Sequence, residues 1–248
     1  MSDQHYYGMI PSSPDERDSQ YHFRTLGLRA EVLPTVVDLR KYCSPIRDQG
    51  QLGSCTAEAM IAWLEFQERK LVQPKITLSV LFMYYYSRLA EGTETQDSGC
   101  EPRDVMKVCQ SIGTRANRLW PYYISRFSKK PSDAAFAAPK YSIHSYHRMS
   151  SLLDVKTCLA SGWPVYIGMT VYSSMESEEV SKTGVLPMPQ PGEKVLGGHA
   201  VLIVGYNDTQ QQFTIRNSWG KSWGSAGYFF MSYAYLTPEN VSDLWTCQ

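Results

Sequence analysis

The first half of the chain carries apolar residues at helical spacing. From Ser54 they recur at positions 57, 60, 61 and 64, one face of a helix. Apolar residues fill the other faces of this stretch as well, so we expect a buried helix, with Glu65 and Arg69 as an exposed ion pair. The same spacing predicts further helices over residues 79–89, 102–112 and 152–159.

The second half has the composition of β-strands. Residues 165–171, 200–206, 212–217 and 228–234 are rich in Val, Ile, Tyr and Phe and are separated by Gly, Pro, Asn and Asp. This segregation of helices and strands predicts an α+β fold with two lobes. We expect a helical lobe over residues 33–140 and a mainly antiparallel β-rich lobe over residues 141–248.

Two stretches of the chain show neither the apolar spacing of a helix nor the alternation of a strand. Residues 1–32 are polar and contain Pro11 and Pro14, so they cannot build a core of their own, and we expect an extended N-terminal segment held by the rest of the protein. Residues 172–198 contain three prolines, and we expect a loop there, either bordering a cleft or as a surface insertion.

Charge and hydropathy narrow the classes of partner. The 24 Lys and Arg residues balance 24 Asp and Glu residues, so we expect no nucleic-acid partner. The longest apolar run, residues 80–86, is too short to span a membrane, and no apolar stretch opens the chain. We therefore expect neither a membrane partner nor a signal peptide, and the compartment, cytoplasmic or exported, stays open.

Six cysteines occur at positions 43, 55, 100, 109, 158 and 247, none in a C-x-x-C pair. We expect no metal site, no cofactor and reduced thiols, with Cys109 on the buried face of its helix. Cys55 differs because it falls on the first turn of the buried helix. Backbone N–H groups and the helix dipole there favour a thiolate, although a cysteine at such a place is more often a small core residue.

A histidine and an asparagine further along the chain could activate Cys55 as a nucleophile. His199 begins a very apolar strand, and Asn217 ends the next one. An amide oxygen can accept a hydrogen bond from one imidazole nitrogen and so orient the other toward a nucleophile. Trp219 is placed to cover that bond and exclude water. The other histidines, His5, His22, His144 and His147, lack such surroundings and are interpreted as surface or incidental residues.

With these motifs the sequence resembles the papain-like cysteine peptidases. The resemblance rests on QGQLGSC at 49–55, GGHAVLIVGY at 197–206 and RNSWGKSWGSAGY at 216–228, and extends from about Leu33 to the C-terminus. It implies a helical lobe and a barrel-like antiparallel β lobe with the active-site cleft between them. It further implies Cys55 as nucleophile, His199 as acid and base, Asn217 as its orienting partner, and an oxyanion hole formed by Gln49 and the Cys55 N–H.

Three departures from that family stand out. Leu52 replaces a cysteine that usually forms a disulfide, and Thr56 replaces a tryptophan. Glu101-Pro102-Arg103 replaces a Gly-Gly pair that contacts the substrate backbone, so that wall of the cleft is expected to bind differently. In these respects the chain is similar to the shorter bacterial members.

The function implied is a cysteine endopeptidase that cleaves polypeptides through a thioester and needs no cofactor. Two alternatives remain: a transacylase or transpeptidase with the same three residues, and a catalytically silent binding scaffold. Residues 1–32 are shorter than the propeptides usual in the family yet long enough to cross a cleft. We expect them to act as a tethered inhibitor, with a structural strap elsewhere on the surface as the alternative.

Overall fold

A computed structural model describes residues 5–21, 33–71 and 75–247 of the chain. Its helices are α1 (Cys55–Lys70), α2 (Val80–Ala90), α3 (Pro102–Ser111), α4 (Asp133–Ala137), α5 (Leu152–Ala160) and α6 (Glu178–Thr183). Its strands are β1 (Val36–Asp38), β2 (Tyr146–Arg148), β3 (Val165–Tyr172), β4 (Val185–Leu186), β5 (Val195–Asn207), β6 (Gln212–Arg216), β7 (Tyr228–Ser232) and β8 (Val241–Cys247).

Helix α1 is the centre of the helical part, and every residue from Cys55 to Phe66 is buried. It packs against α2 and α3 on one side and against β5 on the other. Residues at the starts of α2 and α3 are of the types that favour helix N-termini. Ser79 caps α2 by accepting a hydrogen bond from the Phe82 N–H, and Pro102 occupies the first turn of α3, where its missing N–H costs nothing.

One sheet contains all eight strands, in the order β2-β8-β3-β5-β6-β7-β4, with β1 paired to β5. Pairing is antiparallel except between β4 and β7. The long strand β5 pairs with β1, β3 and β6, and it carries His199 against the N-terminus of α1. The predicted α+β fold class is thereby confirmed.

The prediction of a loop over residues 172–198 is wrong. Helix α6 lies in this stretch, capped by the Ser177 side chain at its start and ended by Gly184 at φ 74°. Strand β4 follows, and β5 begins at Val195. Six residues are too few for a visible helical period, so only the cap residues could have indicated α6.

The prediction of an exposed Glu65–Arg69 pair is also wrong. Glu65 is 1% exposed, its carboxylate accepts a hydrogen bond from the Leu78 N–H at 2.7 Å, and it forms an ion pair with Arg47. Helical spacing alone could not reveal that Arg47, from the loop before α1, supplies the opposite charge.

The six cysteines are free thiols, and Cys109 is fully buried. None of the helices that the structure describes is long and apolar enough to cross a membrane. Across the same residues, no cluster of three His, Cys, Asp or Glu side chains could hold a metal ion.

Candidate active site

Cys55 is the first residue of α1 and is completely buried. The backbone N–H groups of Cys55 and Thr56, unpaired donors of the helix N-terminus, lie near its thiol and favour the thiolate form. The N–H groups of Ala200 in β5 and of Gly8 in the N-terminal segment act on the sulfur in the same direction. Because Ala200 follows His199, these contacts bring the cysteine and the histidine of the sequence motifs to one place.

His199 is held by Asn217, which lies just beyond the end of β6. The His199 Nε2 donates to Asn217 Oδ1 at 2.8 Å, and the same oxygen accepts the Ser218 N–H at 2.8 Å. Among the described residues, His199 Nδ1 has no hydrogen-bond partner although it is buried. The indole of Trp219 stacks on the imidazole with centroids 4.6 Å apart. Nε2 of the His199 imidazole is thus held by a hydrogen bond, whereas Nδ1 is available to transfer a proton.

Gln49 is fixed by the loop that carries Ser218. Its backbone N–H donates to the Ser218 carbonyl at 2.9 Å, and its Oε1 accepts the Ser218 hydroxyl at 2.7 Å. The amide Nε2 therefore points the other way, donating to the Leu52 carbonyl at 2.9 Å and to the Tyr6 carbonyl at 3.0 Å. The Tyr6 carbonyl oxygen thus accepts a hydrogen bond from the Gln49 amide, the donor that the sequence predicts for an oxyanion.

Residues 5–10, here called the cleft segment, lie directly over this site. The Cys100 N–H donates to the Gly8 carbonyl at 2.9 Å, and the Ile10 N–H donates to the Cys100 carbonyl at 3.1 Å, in a parallel bridge. On the opposite wall, the Met9 N–H donates to the Gly198 carbonyl at 3.0 Å. The cleft segment therefore joins the helical and β-rich sides of the site through backbone hydrogen bonds.

Gly8 makes the closest approach. A Cβ atom added to Gly8 would lie 1.7 Å from the Gly53 carbonyl oxygen, far inside contact distance. From the other side, a Cβ on Gly99 would lie 2.1 Å from the Gly8 carbonyl oxygen. Only residues without side chains allow the three backbones to come together.

His5 corrects one sequence interpretation. It is neither incidental nor free on the surface, because its ring stacks on Trp219 and its Nδ1 lies 2.9 Å from a Glu176 carboxylate oxygen. Tyr7 also donates a hydrogen bond to Glu176. Of the others, His144 is exposed, His147 contacts the Ser19 hydroxyl at 2.9 Å, and His22 lies outside the described residues.

The remainder of the described N-terminal segment binds the wall that departs from the family pattern. The Arg103 guanidinium donates to both Asp18 carboxylate oxygens, at 2.8 and 2.6 Å, and both side chains are nearly buried. The Arg103 N–H donates to the Ser12 hydroxyl at 3.1 Å, and the Ser12 N–H donates to Asp243 at 3.1 Å. The unusual Glu101-Pro102-Arg103 sequence thus contributes to holding the chain's own N-terminal residues.

Burial controls the protonation of the pair in this covered state. It raises the pKa of Cys55 to about 11, outweighing the N–H groups that lower it. It also lowers the pKa of His199 to about 4, against the hydrogen bond that His199 donates to Asn217. The expected lowering of the Cys55 pKa therefore does not hold while the cleft is covered, and a neutral thiol and imidazole are favoured at neutral pH.

Cys158 provides a contrast within the same protein. Its thiol contacts the Thr246 hydroxyl at 3.3 Å and the Trp163 carbonyl at 3.6 Å, and burial raises its pKa to about 12. It lies in the last turn of α5, away from a helix N-terminus. Cys55 is the thiol with the surroundings of a nucleophile.

Sequence reasoning missed several residues that position the site. Ser218 holds Gln49, Glu176 holds His5, and Asp97 accepts the Gly53 N–H at 3.1 Å beside the cysteine loop. Ser218 lies inside the RNSWG motif, so its place beside Asn217 was a usable signal. Glu176 and Asp97 have no motif around them.

The chain as a whole is similar to known cysteine proteases. The sequence model of the papain family cysteine proteases matches residues 33–241. The chain is 37% identical to xylellain, a cysteine protease from Xylella fastidiosa, whose structure matches with a TM-score of 0.90 over 98% of this chain and 95% of that one.

Two curated proteins show the same relationship. An uncharacterized peptidase C1-like protein of Acanthamoeba polyphaga mimivirus is 35% identical over 268 residues, with 98% of this chain and 86% of that protein aligned. Cysteine proteinase 3 of Entamoeba histolytica is 30% identical over 206 residues, which cover 80% of this chain and 63% of that protein.

Proposed function

Because the chain belongs to the papain family of cysteine peptidases, we propose that Cys55, His199 and Asn217 carry out its hydrolytic reaction on internal bonds of polypeptides. The observation that carries this assignment is the hydrogen bond from His199 Nε2 to Asn217 at 2.8 Å, which leaves Nδ1 of the buried imidazole without a partner among the described residues. The backbone N–H of the next residue, Ala200, lies close enough to the Cys55 thiol to favour its thiolate form. Nucleophile, base and orienting group are thereby in the order that acyl transfer needs.

In this mechanism the Cys55 sulfur attacks the peptide carbonyl carbon and forms a tetrahedral intermediate. The Gln49 side-chain amide and the Cys55 backbone N–H donate to the oxygen that becomes negative, and each such donor is typically worth about 10²–10³ in rate. His199 gives its proton to the leaving amine as the C–N bond breaks. It then takes a proton from the water that hydrolyses the thioester.

The thiolate–imidazolium pair requires an uncovered cleft. With the cleft segment in place, burial raises the pKa of Cys55 and lowers that of His199. When water enters, the desolvation penalty on both charged forms falls, and the N–H groups around the sulfur act in favour of the thiolate. We therefore propose that the covered chain is a latent enzyme.

Contacts of the cleft segment support inhibition rather than a strap on the back of a lobe. Its backbone hydrogen-bonds to the Gln49 side chain and to the Cys100 backbone, and its Gly8 N–H lies near the Cys55 thiol; these are the groups a substrate would meet. Gln49 binds the carbonyl of Tyr6, whereas the backbone group nearest to the thiol in this segment is the N–H of Gly8. The Gln49 amide and the Cys55 thiol thus contact different peptide groups of the cleft segment. Because no single peptide carbonyl is presented to both, the segment can occupy the site without being cleaved.

A labelling experiment tests the catalytic assignment. An epoxide inhibitor of cysteine peptidases should label the uncovered enzyme at Cys55 and stop peptide hydrolysis, and Cys55→Ala should remove both label and activity. Equal hydrolysis by Cys55→Ala would contradict the mechanism. Product analysis with an added amine separates hydrolysis from acyl transfer.

Latency has its own test. A chain that begins at Leu33 and the full-length Gly8→Ala variant should both hydrolyse a small peptide at least about tenfold faster than the parent, because the added methyl group expels the cleft segment. Gly92→Ala is the control for a strained glycine substitution without crowding, since φ there is +72° but a Cβ meets nothing within 4 Å. If both altered chains fold and are no faster, the cleft segment is not an inhibitor.

A further inference from the structure

Three of the described residues, each with an unpartnered buried polar atom, line one small cavity behind the active site. Among the described residues, Glu58 Oε1, Arg47 Nη1 and Asn217 Nδ2 are buried without a hydrogen-bond partner. The residues that carry them all line a cavity of about 10 Å³ between α1, β5 and β6. Other lining residues are mainly apolar: Ala59, Ala62, Ala200, Val201 and Leu202.

We propose that this cavity binds a single water molecule that joins Glu58 to Asn217 and makes Glu58 a positioning residue for the His199 imidazole. This inference rests on the proposed roles of Asn217 and His199. A cavity of about 10–15 Å³ holds one water, provided that two to four polar groups receive it. Here Asn217 Nδ2 and Arg47 Nη1 supply N–H donors, and Glu58 Oε1 supplies an acceptor.

The two ends of the Asn217 amide connect this water to the site. Its oxygen accepts the His199 Nε2–H at 2.8 Å, while its NH₂ group belongs to the cavity lining. An amide whose N–H is bound toward a carboxylate has a more negative oxygen. A charged Glu58 therefore strengthens the hydrogen bond from Nε2 and stabilises the imidazolium form of His199.

Charged groups around Glu58 come from several elements. Arg47, from the loop before α1, and Arg216, on β6, favour its charged form, whereas Glu65 on α1 and Asp48 in the loop oppose it. Burial is the largest effect, and it raises the pKa of Glu58 to about 7. The carboxylate thus forms as the pH rises through neutrality, and its support of the imidazolium is present above that pH and lost below it.

The water itself is tested on the unaltered full-length chain by a crystal structure at a resolution that shows ordered solvent. The expected result is one water within hydrogen-bond distance of Glu58 Oε1 and Asn217 Nδ2. A dry cavity, or a water that contacts Arg47 without reaching Asn217, would overturn the proposal.

Positioning of His199 is tested by Glu58→Gln in the full-length Gly8→Ala chain, which keeps the shape of the side chain and removes the charge. The readout is the pH dependence of Cys55 alkylation by a small epoxide, whose alkaline limb reports loss of the imidazolium proton. We expect this limb to move to lower pH by about 0.5 unit or more.

Glu65→Gln is the matched control, because Glu65 shares the partner Arg47 but does not line the cavity. It should lower thermal stability and leave the limb where it is. An unchanged limb in Glu58→Gln, or an equal shift in both variants, would refute a specific role of Glu58. Alkylation does not require turnover, so a chain that hydrolyses no peptide would count against the proposed function alone.

Discussion

His5 of the N-terminal segment and Trp219 of the cleft wall stack with ring centroids 3.9 Å apart and an interplanar angle of 15°. The same indole stacks on His199. The surface that shields the proposed base from water is therefore also a binding surface for the segment that covers it. Contacts of His5 and its neighbours should control access to the reacting groups.

Glu176→Gln should activate the full-length chain several-fold at neutral pH. Glu176 accepts hydrogen bonds from both His5 and Tyr7, so loss of its charge weakens two contacts of the cleft segment at once. Hydrolysis of a small peptide by parent and variant measures the effect. Glu178→Gln is the control, since Glu178 is exposed and pairs only with Lys182 among the described residues; activation of both variants alike would exclude a specific role for Glu176.

Low pH should weaken the binding of the cleft segment, because protonation removes the negative charge of Glu176. Burial raises the Glu176 pKa, but the contacts with His5 and Tyr7 outweigh it and hold the pKa below its ordinary value of 4.5. A depressed pKa means that the stabilisation exists above 4.5 and disappears as the pH falls through the lowered value.

Measurement of this effect uses the ratio of Cys55 labelling rates in the parent and in Glu176→Gln. That ratio should approach one as the pH falls through the lowered pKa of Glu176, which lies below 4.5, because both chains then lack the charge. A ratio that stays constant with pH would show that Glu176 does not hold the segment.

Cys55 should be slow to react with iodoacetamide in the parent chain at neutral pH and fast in Gly8→Ala. The reason is its pKa of about 11 in the covered state, which leaves little thiolate. Cys43 is the internal control, because it is half-buried in a place remote from Gly8 in sequence and should be labelled at the same rate in both chains. Peptide mapping by mass spectrometry distinguishes the two sites. Equal labelling rates of Cys55 in the two chains would show that the cleft segment does not control the protonation of the thiol.

Substitutions in the site should have graded effects in the uncovered enzyme. Cys55→Ala and His199→Ala should abolish hydrolysis, whereas Asn217→Ala should retain a measurable rate, about 10²-fold reduced, because orientation is a smaller effect than bond formation or proton transfer. Cys158→Ala should leave the rate per folded molecule unchanged. A full loss in Cys158→Ala together with activity in Cys55→Ala would reverse the assignment of the nucleophile.

Periodic and motif-bearing parts of the molecule were predictable from the sequence. The apolar spacing after Ser54 predicts α1, and the short motifs around Cys55, His199 and Asn217 predict residues that the fold brings together. Those features depend on neighbours in sequence or on a recognisable pattern.

Contacts between distant, aperiodic segments were not predictable. His5 looks like a residue of a polar tail, and its importance comes from Glu176 and Trp219, far along the chain. Gly8 is significant only because Gly53 and Gly99 meet it in space. Glu58 lies on a helix whose apolar face is readable, yet its buried partners come from a loop and from β6.

If the cleft segment inhibits the enzyme as proposed, its covalent continuity with the enzyme body sets the kinetic order of that inhibition. As one molecule, the chain closes its own cleft at a rate independent of protein concentration. A single cut anywhere in residues 22–32 would convert the segment into a separate ligand. Simple dilution would then release activity, and a segment lost by one molecule could close the cleft of another.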